Sequence, residues 1–317
     1  MCIFCVAAAA ERAGRTAPTT VSAPFFVASF VRPVLFSIPQ IGIKFYSYGV
    51  MVAAALGLAT LNFAKDLAKA SIDLDEVNCF FVFLLGFGVG SKAHLALSAV
   101  GAGEPLTWKS FDIRTGHSFI GSQIGAVLCM LAYIKYKKVH VLTFLDVLLP
   151  CCMLGHVIGK IGCFISGDGC YGPTADPRRY PWAMSFPNAS VPTYEPVHPT
   201  PIYESLTSLF IFVVVNAFCK LPAKQPGRRT SLVLVLYGAG RAVIEQYRRH
   251  PPIVLFGGLS EYQVLAIILL VVGLALEMYG SYAASASKED GTEPEAQPVT
   301  PAKATKGSKS AGKKKVQ

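Results

Sequence analysis

Charge is scarce in this chain: Asp, Glu, Lys and Arg make up 15% of its 317 residues, against 52% hydrophobic ones. That shortage excludes an ordinary soluble domain. The nine cysteines lack any CxxC…CxxC or Cys/His spacing, so no zinc site is read from them, and no metal or cofactor is expected. Cys129 and Cys219 lie in apolar runs, where a thiol serves as a small core residue. The first 31 residues lack the order of basic region, apolar core and cleavage site that defines a signal peptide, since Glu11, Arg12 and Arg15 follow an apolar start. The last 33 residues are almost without large apolar side chains, cannot bury enough surface to fold, and are expected to be disordered.

What the chain does have is apolar length. Seven stretches, about 46–64, 79–100, 118–136, 143–165, 201–219, 230–247 and 260–280, carry near-continuous apolar runs. Runs of this size suit a hydrocarbon core of about 30 Å. The expected fold is therefore all-α, a polytopic membrane protein of about seven transmembrane helices. Residues 25–40 are apolar too, but Arg32-Pro33 breaks them, and they are read as lying at the interface. Three regions follow: an N-terminal extension (1–31), a seven-helix membrane domain (32–280) and a Lys-rich tail (281–317).

A formal charge of +10 invites nucleic acid as a partner, but its placement argues against one. Seven lysines lie in the tail after Tyr282, and many of the other basic residues flank apolar stretches, where they set topology. One set of short loops holds Lys65, Lys69, Lys135, Lys137, Lys138, Lys220, Lys224, Arg228 and Arg229. The opposite set holds Lys109, Arg114, Arg178, Arg179, Arg248 and Arg249. The richer set marks the cytoplasmic side, so the N-terminus is expected outside and the C-terminus in the cytoplasm. The longest connection, 166–200, then forms a small outer-face head.

Polar residues inside so apolar a chain are the candidates for chemistry. Arg241 and Glu245 stand four residues apart in the sixth stretch, so both project from one helix face. Ionisable side chains at membrane depth are costly and tend to face a cavity or pathway. A pair that neutralises itself and only orients helices is the other reading. His198, Tyr203 and Glu204 follow closely in His198-Pro-Thr-Pro-Ile-Tyr-Glu204, where proline at a helix start is ordinary punctuation. Tyr48 lies in Tyr46-Ser-Tyr-Gly49 at an outer helix end, where tyrosines anchor to the interface whatever the function. The run 159–172 sets Gly159, Gly162, Gly167, Gly169 and Gly172 around Lys160, Cys163 and Asp168. Glycines this dense let a backbone approach a ligand and supply turns of positive φ.

The order and spacing of these motifs resemble the prolipoprotein diacylglyceryl transferase family over about 34–280. The carriers are Tyr48-Gly49, Ser118-Phe-x-Gly121, the Gly-rich run, His198-Pro-x-x-x-Tyr-Glu204 and Gly238-x-x-Arg-x-x-x-Glu245. The resemblance implies an enzyme of the plasma (inner) membrane that moves the diacylglyceryl group of phosphatidylglycerol onto the thiol of a prolipoprotein lipobox cysteine, releasing glycerol phosphate. Its implied partners are phosphatidylglycerol, the lipobox peptide and the lipid bilayer. Its implied catalytic residues are Arg241, Glu245 and Asp168, to which His117 is added only for its proximity to Ile120. Its implied lipid-binding residues are Tyr48, Lys160, Cys163, Gly167, Gly172, His198, Tyr203 and Glu204.

That reaction has physical needs of its own. A thiol must lose its proton, and a leaving phosphate needs cations, best an arginine whose fork takes two oxygens. Arg241 and Lys160 supply such charge, and Asp168, Glu245 or a histidine supplies a proton acceptor. The chain also departs from the family pattern, in which Arg, Asn and His stand where it has Lys160, Cys163 and Ile120, and a Glu where it has Asp168-Gly-Cys-Tyr171. Lysine lacks the fork, and Ile120 transfers no proton, which leaves His117, three residues earlier, to do so. These losses favour the alternative, a non-catalytic phospholipid-binding or transport-related protein on the same scaffold. Arg241 and Glu245 separate the two, because a merely structural descendant had no need to keep them.

Overall fold

The computed structural model describes residues 26–101, 103, 118–223, 225–248 and 258–289. His117, residues 1–25 and the tail from 290 onward lie outside the described residues, together with the expectations placed on them. Each of the seven apolar stretches is occupied by a helix: α1 (Ser47–Lys69), α2 (Glu76–Gly101), α3 (Phe119–Tyr136), α4 (Val141–Ser166), α5 (Thr200–Phe218), α6 (Arg228–Glu245) and α7 (Glu261–Glu289). Among the described residues five helices are long and apolar enough to cross a membrane: α1, α2, α4, α5 and the Tyr262–Ala283 part of α7. The protein is thus mostly helical and polytopic. Helix α6 is the most polar of the seven, and its Arg229, Thr230, Ser231, Arg241 and Glu245 are all buried. These side chains lie inside the bundle, where polar groups find partners away from the surrounding acyl chains.

Helix α4 is the centre of the packing. Helices α1, α5 and α6 pack on it, and α7 packs on α6. Helices α2 and α3 pack chiefly on each other, through Gly86 and Gly90 on one and Gly121 and Gly125 on the other. A Cβ on Gly125 would stand 2.2 Å from the Gly86 carbonyl oxygen and 2.6 Å from the Gly90 Cα, so only hydrogen fits there. Contact between glycine-lined backbones is how helices associate where the surrounding tails are as apolar as the side chains.

Contacts at the two ends give the helix directions. At one end Asp146, near the start of α4 and fully buried, accepts hydrogen bonds from the Gly227 amide (2.7 Å), the Thr230 amide (2.8 Å) and the Thr230 hydroxyl (2.8 Å). A carboxylate there satisfies the orphan amides of α6 and its dipole. Arg229 beside it donates to Asn216 near the end of α5 (2.7 Å) and lies 3.6 Å from Asp66 near the end of α1. So α1 and α5 end where α4 and α6 begin.

At the opposite end stand two small sheets, which the all-helical expectation did not include. Strand β1 (Phe26–Val27) runs parallel to β4 (Met184–Phe186), which pairs antiparallel with β5 (Thr193–Val197). Strands β2 (Val34–Ile38) and β3 (Ile43–Tyr46) form an antiparallel pair leading into α1. From residue 26 on, the stretch read as interfacial therefore supplies β1 and β2. Ala28, Val31, Tyr171, Met184, Phe186, Ala189 and Val197 form the core of this cap. Tyr171 and Phe186 stack within it with centroids 4.2 Å apart.

Candidate functional site

One carboxylate gathers the site. Thr200-Pro201 opens α5, where proline is compatible with the first turn, and this places Glu204 one turn in, facing α4 and α6. Lys160, from the last two turns of α4, puts its Nζ 2.5 Å from Glu204 Oε2. Arg241, from the last turn and a half of α6, puts Nη1 3.0 Å from Oε1. Arg248, just beyond α6, bonds the same oxygen. Arg241 uses its other nitrogen, Nη2, on Glu245 at 2.9 Å. Ser260 donates to the other oxygen of that carboxylate, Oε1, at 2.8 Å, and the Tyr262 ring lies 4.8 Å from the Arg241 guanidinium carbon. Side chains of Lys160, Glu204, Arg241, Glu245 and Arg248 are all less than a tenth exposed. Removing such ions from water costs several kcal/mol each, so they persist only by sharing partners. Three cations against two carboxylates leave one positive charge in excess within this network.

A second layer lies one helical turn deeper. His156 precedes Lys160 by four residues on α4, Ser208 follows Glu204 by four on α5, and Tyr237 precedes Arg241 by four on α6. The shared spacing stacks these rungs under the charged ones. His156 Nδ1 lies 2.7 Å from the Ser208 hydroxyl, its Nε2 lies 3.9 Å from Glu204 Oε2, and its ring meets Tyr237 edge-on at 6.0 Å. A small cavity opens among His156, Glu204, Thr207, Ser208, Tyr237, Arg241 and Ile244.

The Gly-rich run turns the chain away from α4. Gly167 ends the helix in the left-handed region (φ 61°), with its amide donating to the Cys163 carbonyl at 3.0 Å, and Gly169 has φ 84°. A Cβ on Gly167 would stand 2.3 Å from that of Ala189, and one on Gly172 would stand 2.2 Å from the Tyr247 carbonyl oxygen. Glycine at these positions thus closes the turn against Ala189 and against Tyr247, the residue before Arg248. Asp168, at the tip, accepts from the Cys170 amide at 3.1 Å. Burial, with the Cys170 thiol adding to it, pushes the Asp168 carboxyl up to about 6. The thiols of Cys163 and Cys170 and an Asp168 oxygen lie within 4.8 Å of one another, the three groups here able to hold a metal ion. Lys160 is within electrostatic reach of both thiols, and a cation would compete with it.

A raised carboxyl has a consequence for stability. Between pH 4 and 6 the folded protein binds more protons than the unfolded chain, so stability falls as pH rises through that window. Asp168→Asn should match the parent near pH 4 and exceed it at pH 7 by on the order of 2 kcal/mol. Thermal unfolding of detergent-solubilised protein across this range checks the difference; parallel curves at all pH values would remove the burial assigned to Asp168.

The structure brings Lys160, Glu204, Arg241 and Glu245 into one network, with Cys163, Gly167, Asp168 and Gly172 in the adjoining turn. His198 and Tyr203 stand in an aromatic cluster instead: His198 Nδ1 lies 3.2 Å from the Tyr203 hydroxyl, which accepts from Trp182 at 2.5 Å. Tyr180 and Tyr247 flank the His198 ring, whose burial depresses its pKa. Tyr48, on the first turn of α1, stands beside Gly162 and is 38% exposed. Two neighbours of Glu204 escape a sequence reading. Arg248, counted with Arg249 among the topology charges, is buried on Glu204, and its position seven residues after Arg241 was the available signal. His156 had a similar signal, four residues before Lys160.

The fold and the site together define a class: a multi-pass membrane protein whose helices enclose a cation-rich site. Residues 33–279 match the family model described as prolipoprotein diacylglyceryl transferase. The chain belongs to the prolipoprotein diacylglyceryl transferase family. Among its relatives is the phosphatidylglycerol–prolipoprotein diacylglyceryl transferase of Clostridium tetani, 29% identical over 77% of this chain and 96% of the relative. The enzymes of the same name from Prochlorococcus marinus (strain MIT 9301) and Aeromonas salmonicida are 33% and 29% identical. They cover 72% and 81% of this chain, and 85% and 93% of their own lengths, respectively.

Proposed function

We propose that this protein transfers the diacylglyceryl group of phosphatidylglycerol to the thiol of a prolipoprotein lipobox cysteine. The observation that carries it is the convergence of Lys160, Arg241 and Arg248 on one buried carboxylate with a positive charge to spare. Seven spans, with the N-terminus outside and the C-terminus in the cytoplasm, put this end of the bundle at the outer leaflet of the plasma (inner) membrane. There a phospholipid enters sideways between helices and its phosphate meets Arg241, whose fork takes two oxygens. Glu245 and Ser260 orient that fork. Lys160 and Arg248 complete the headgroup site, flanked by the Gly167–Gly172 turn and by Tyr48, Cys163, His198 and Tyr203. Glu204 holds the cations in place.

The chemical step follows. The lipobox thiol gives its proton to Asp168, whose pKa near 6 suits a base at neutral pH; His117 stands as a second acceptor. The thiolate sulfur attacks the glyceryl carbon bonded to the phosphate oxygen. The C–S bond forms, the C–O bond breaks, and glycerol phosphate leaves with the electron pair, its growing charge stabilised by Arg241 and Lys160. Asp168 then returns its proton to the leaving phosphate or to water.

The test is mass spectrometry of a lipobox peptide incubated with the protein and phosphatidylglycerol vesicles. The expected result is an added diacylglyceryl mass together with released glycerol phosphate. Lipid retained by the protein with neither product formed would instead establish the non-catalytic alternative.

A further inference from the structure

Two atoms facing the cavity beneath the charged layer are spaced in a particular way. His156 Nε2 and Glu204 Oε2 are 3.9 Å apart, too far for a hydrogen bond. A single oxygen placed about 2.8 Å from each reaches both, at an angle near 90° between its two bonds. The group that fits must accept from one side and donate to the other. A hydroxyl does both; a methyl does neither, and an ammonium cannot accept.

The surroundings favour the same group. Tyr237, which lines the cavity, has no hydrogen-bond partner for its hydroxyl among the described residues, and Thr207 adds a second hydroxyl to the lining. Ser208, fully buried, holds the imidazole through Nδ1 at 2.7 Å, so Nε2 is the nitrogen presented to a ligand. An ammonium headgroup would enter beside Lys160, Arg241 and Arg248 and be repelled. The cavity has room for about one water-sized group.

We infer that His156, Ser208 and Tyr237 form, with Glu204 Oε2, a subsite for one hydroxyl of the alcohol esterified to the lipid phosphate. The charged layer reads the phosphate and the layer beneath reads the polyol, which selects phosphatidylglycerol over lipids with no head alcohol. This subsite rests on the lipid-binding part of the proposed function.

Nanodisc-embedded protein, with bound lipid measured by native mass spectrometry, tests it against two probes: phosphatidylglycerol, and phosphatidic acid, which has the phosphate but no head alcohol. Tyr237→Phe and His156→Leu should each weaken phosphatidylglycerol about tenfold, the loss of one or two hydrogen bonds. Phosphatidic acid should move less than twofold. His156→Gln, which keeps a polar side chain, should recover most of the preference. If His156→Leu does not fold, Tyr237→Phe and Ser208→Ala carry the same comparison. Equal weakening of both lipids, or no change in either, overturns the subsite and shows that a water alone occupies the gap. The transferase reading fails separately, when the parent protein retains phosphatidylglycerol yet leaves the lipobox peptide unmodified.

Discussion

Glu204→Gln is expected to destabilise the protein by about 3–5 kcal/mol, the cost of removing one partner from a buried ion pair. The physical reason is multiplicity. Lys160, Arg241 and Arg248 all place a charged nitrogen on this one carboxylate, so its loss leaves three cations buried around a neutral amide. Arg241 keeps Glu245, but that carboxylate cannot serve all three. The variant should unfold at markedly lower temperature in detergent, and what remains folded should make no diacylglyceryl product, because the cations repel one another out of convergence. A second substitution that removes one cation, such as Arg248→Met in the Glu204→Gln background, should restore part of the stability. An unfolding temperature for Glu204→Gln within about 2 °C of the parent, a shift worth well under 3 kcal/mol for a chain of this size, would show that the carboxylate does not hold the network.

Arg241→Gln is expected to lower transfer by on the order of a thousandfold or more, as when an enzyme loses the group that stabilises developing charge. Arg241 is tied to both carboxylates and stacked over an aromatic ring, so its guanidinium is fixed before any lipid arrives. Fixed donors do not have to reorganise as the phosphate leaves, and that is the source of their effect. Arg241→Lys keeps the charge and loses the fork, so it should fall between, with rates about 10–100-fold below the parent. Glycerol phosphate release from phosphatidylglycerol in the presence of a lipobox peptide measures all three proteins. Arg241→Gln activity within tenfold of the parent would remove Arg241 from the chemical step. The lysine variant also separates geometry from charge: equal activity of Lys and Arg at 241 would mean that charge alone acts there. Lys160 already holds a neighbouring place with a single ammonium, so on the proposed reading the bidentate contact with phosphate falls to Arg241.

Much of this molecule is written locally. The helices follow from apolar runs, five of them among the described residues long and apolar enough to cross a membrane, and Arg241 with Glu245 on one face follows from helical periodicity. The strands were not legible, because β1 finds its partner β4 more than 150 residues away and neither is long enough to carry an alternating pattern. Arg248 was misplaced for a related reason. From composition it is a loop charge beside Arg249, and only the way the chain leaves α6 brings it onto Glu204.

By itself, then, the order of residues determined that this is a membrane protein of packed helices, which polar residues lie within them, and which motifs ally it with a lipid-modifying family. Those properties depend on composition and on spacings of a turn or two, and such information survives in one dimension. Tertiary structure alone decided that Glu204 is the shared partner of three cations, and that His156 meets Ser208 beneath it. Each of these contacts joins helices from different parts of the chain, and the desolvation cost of a buried charge is repaid only by whichever partner the packing delivers.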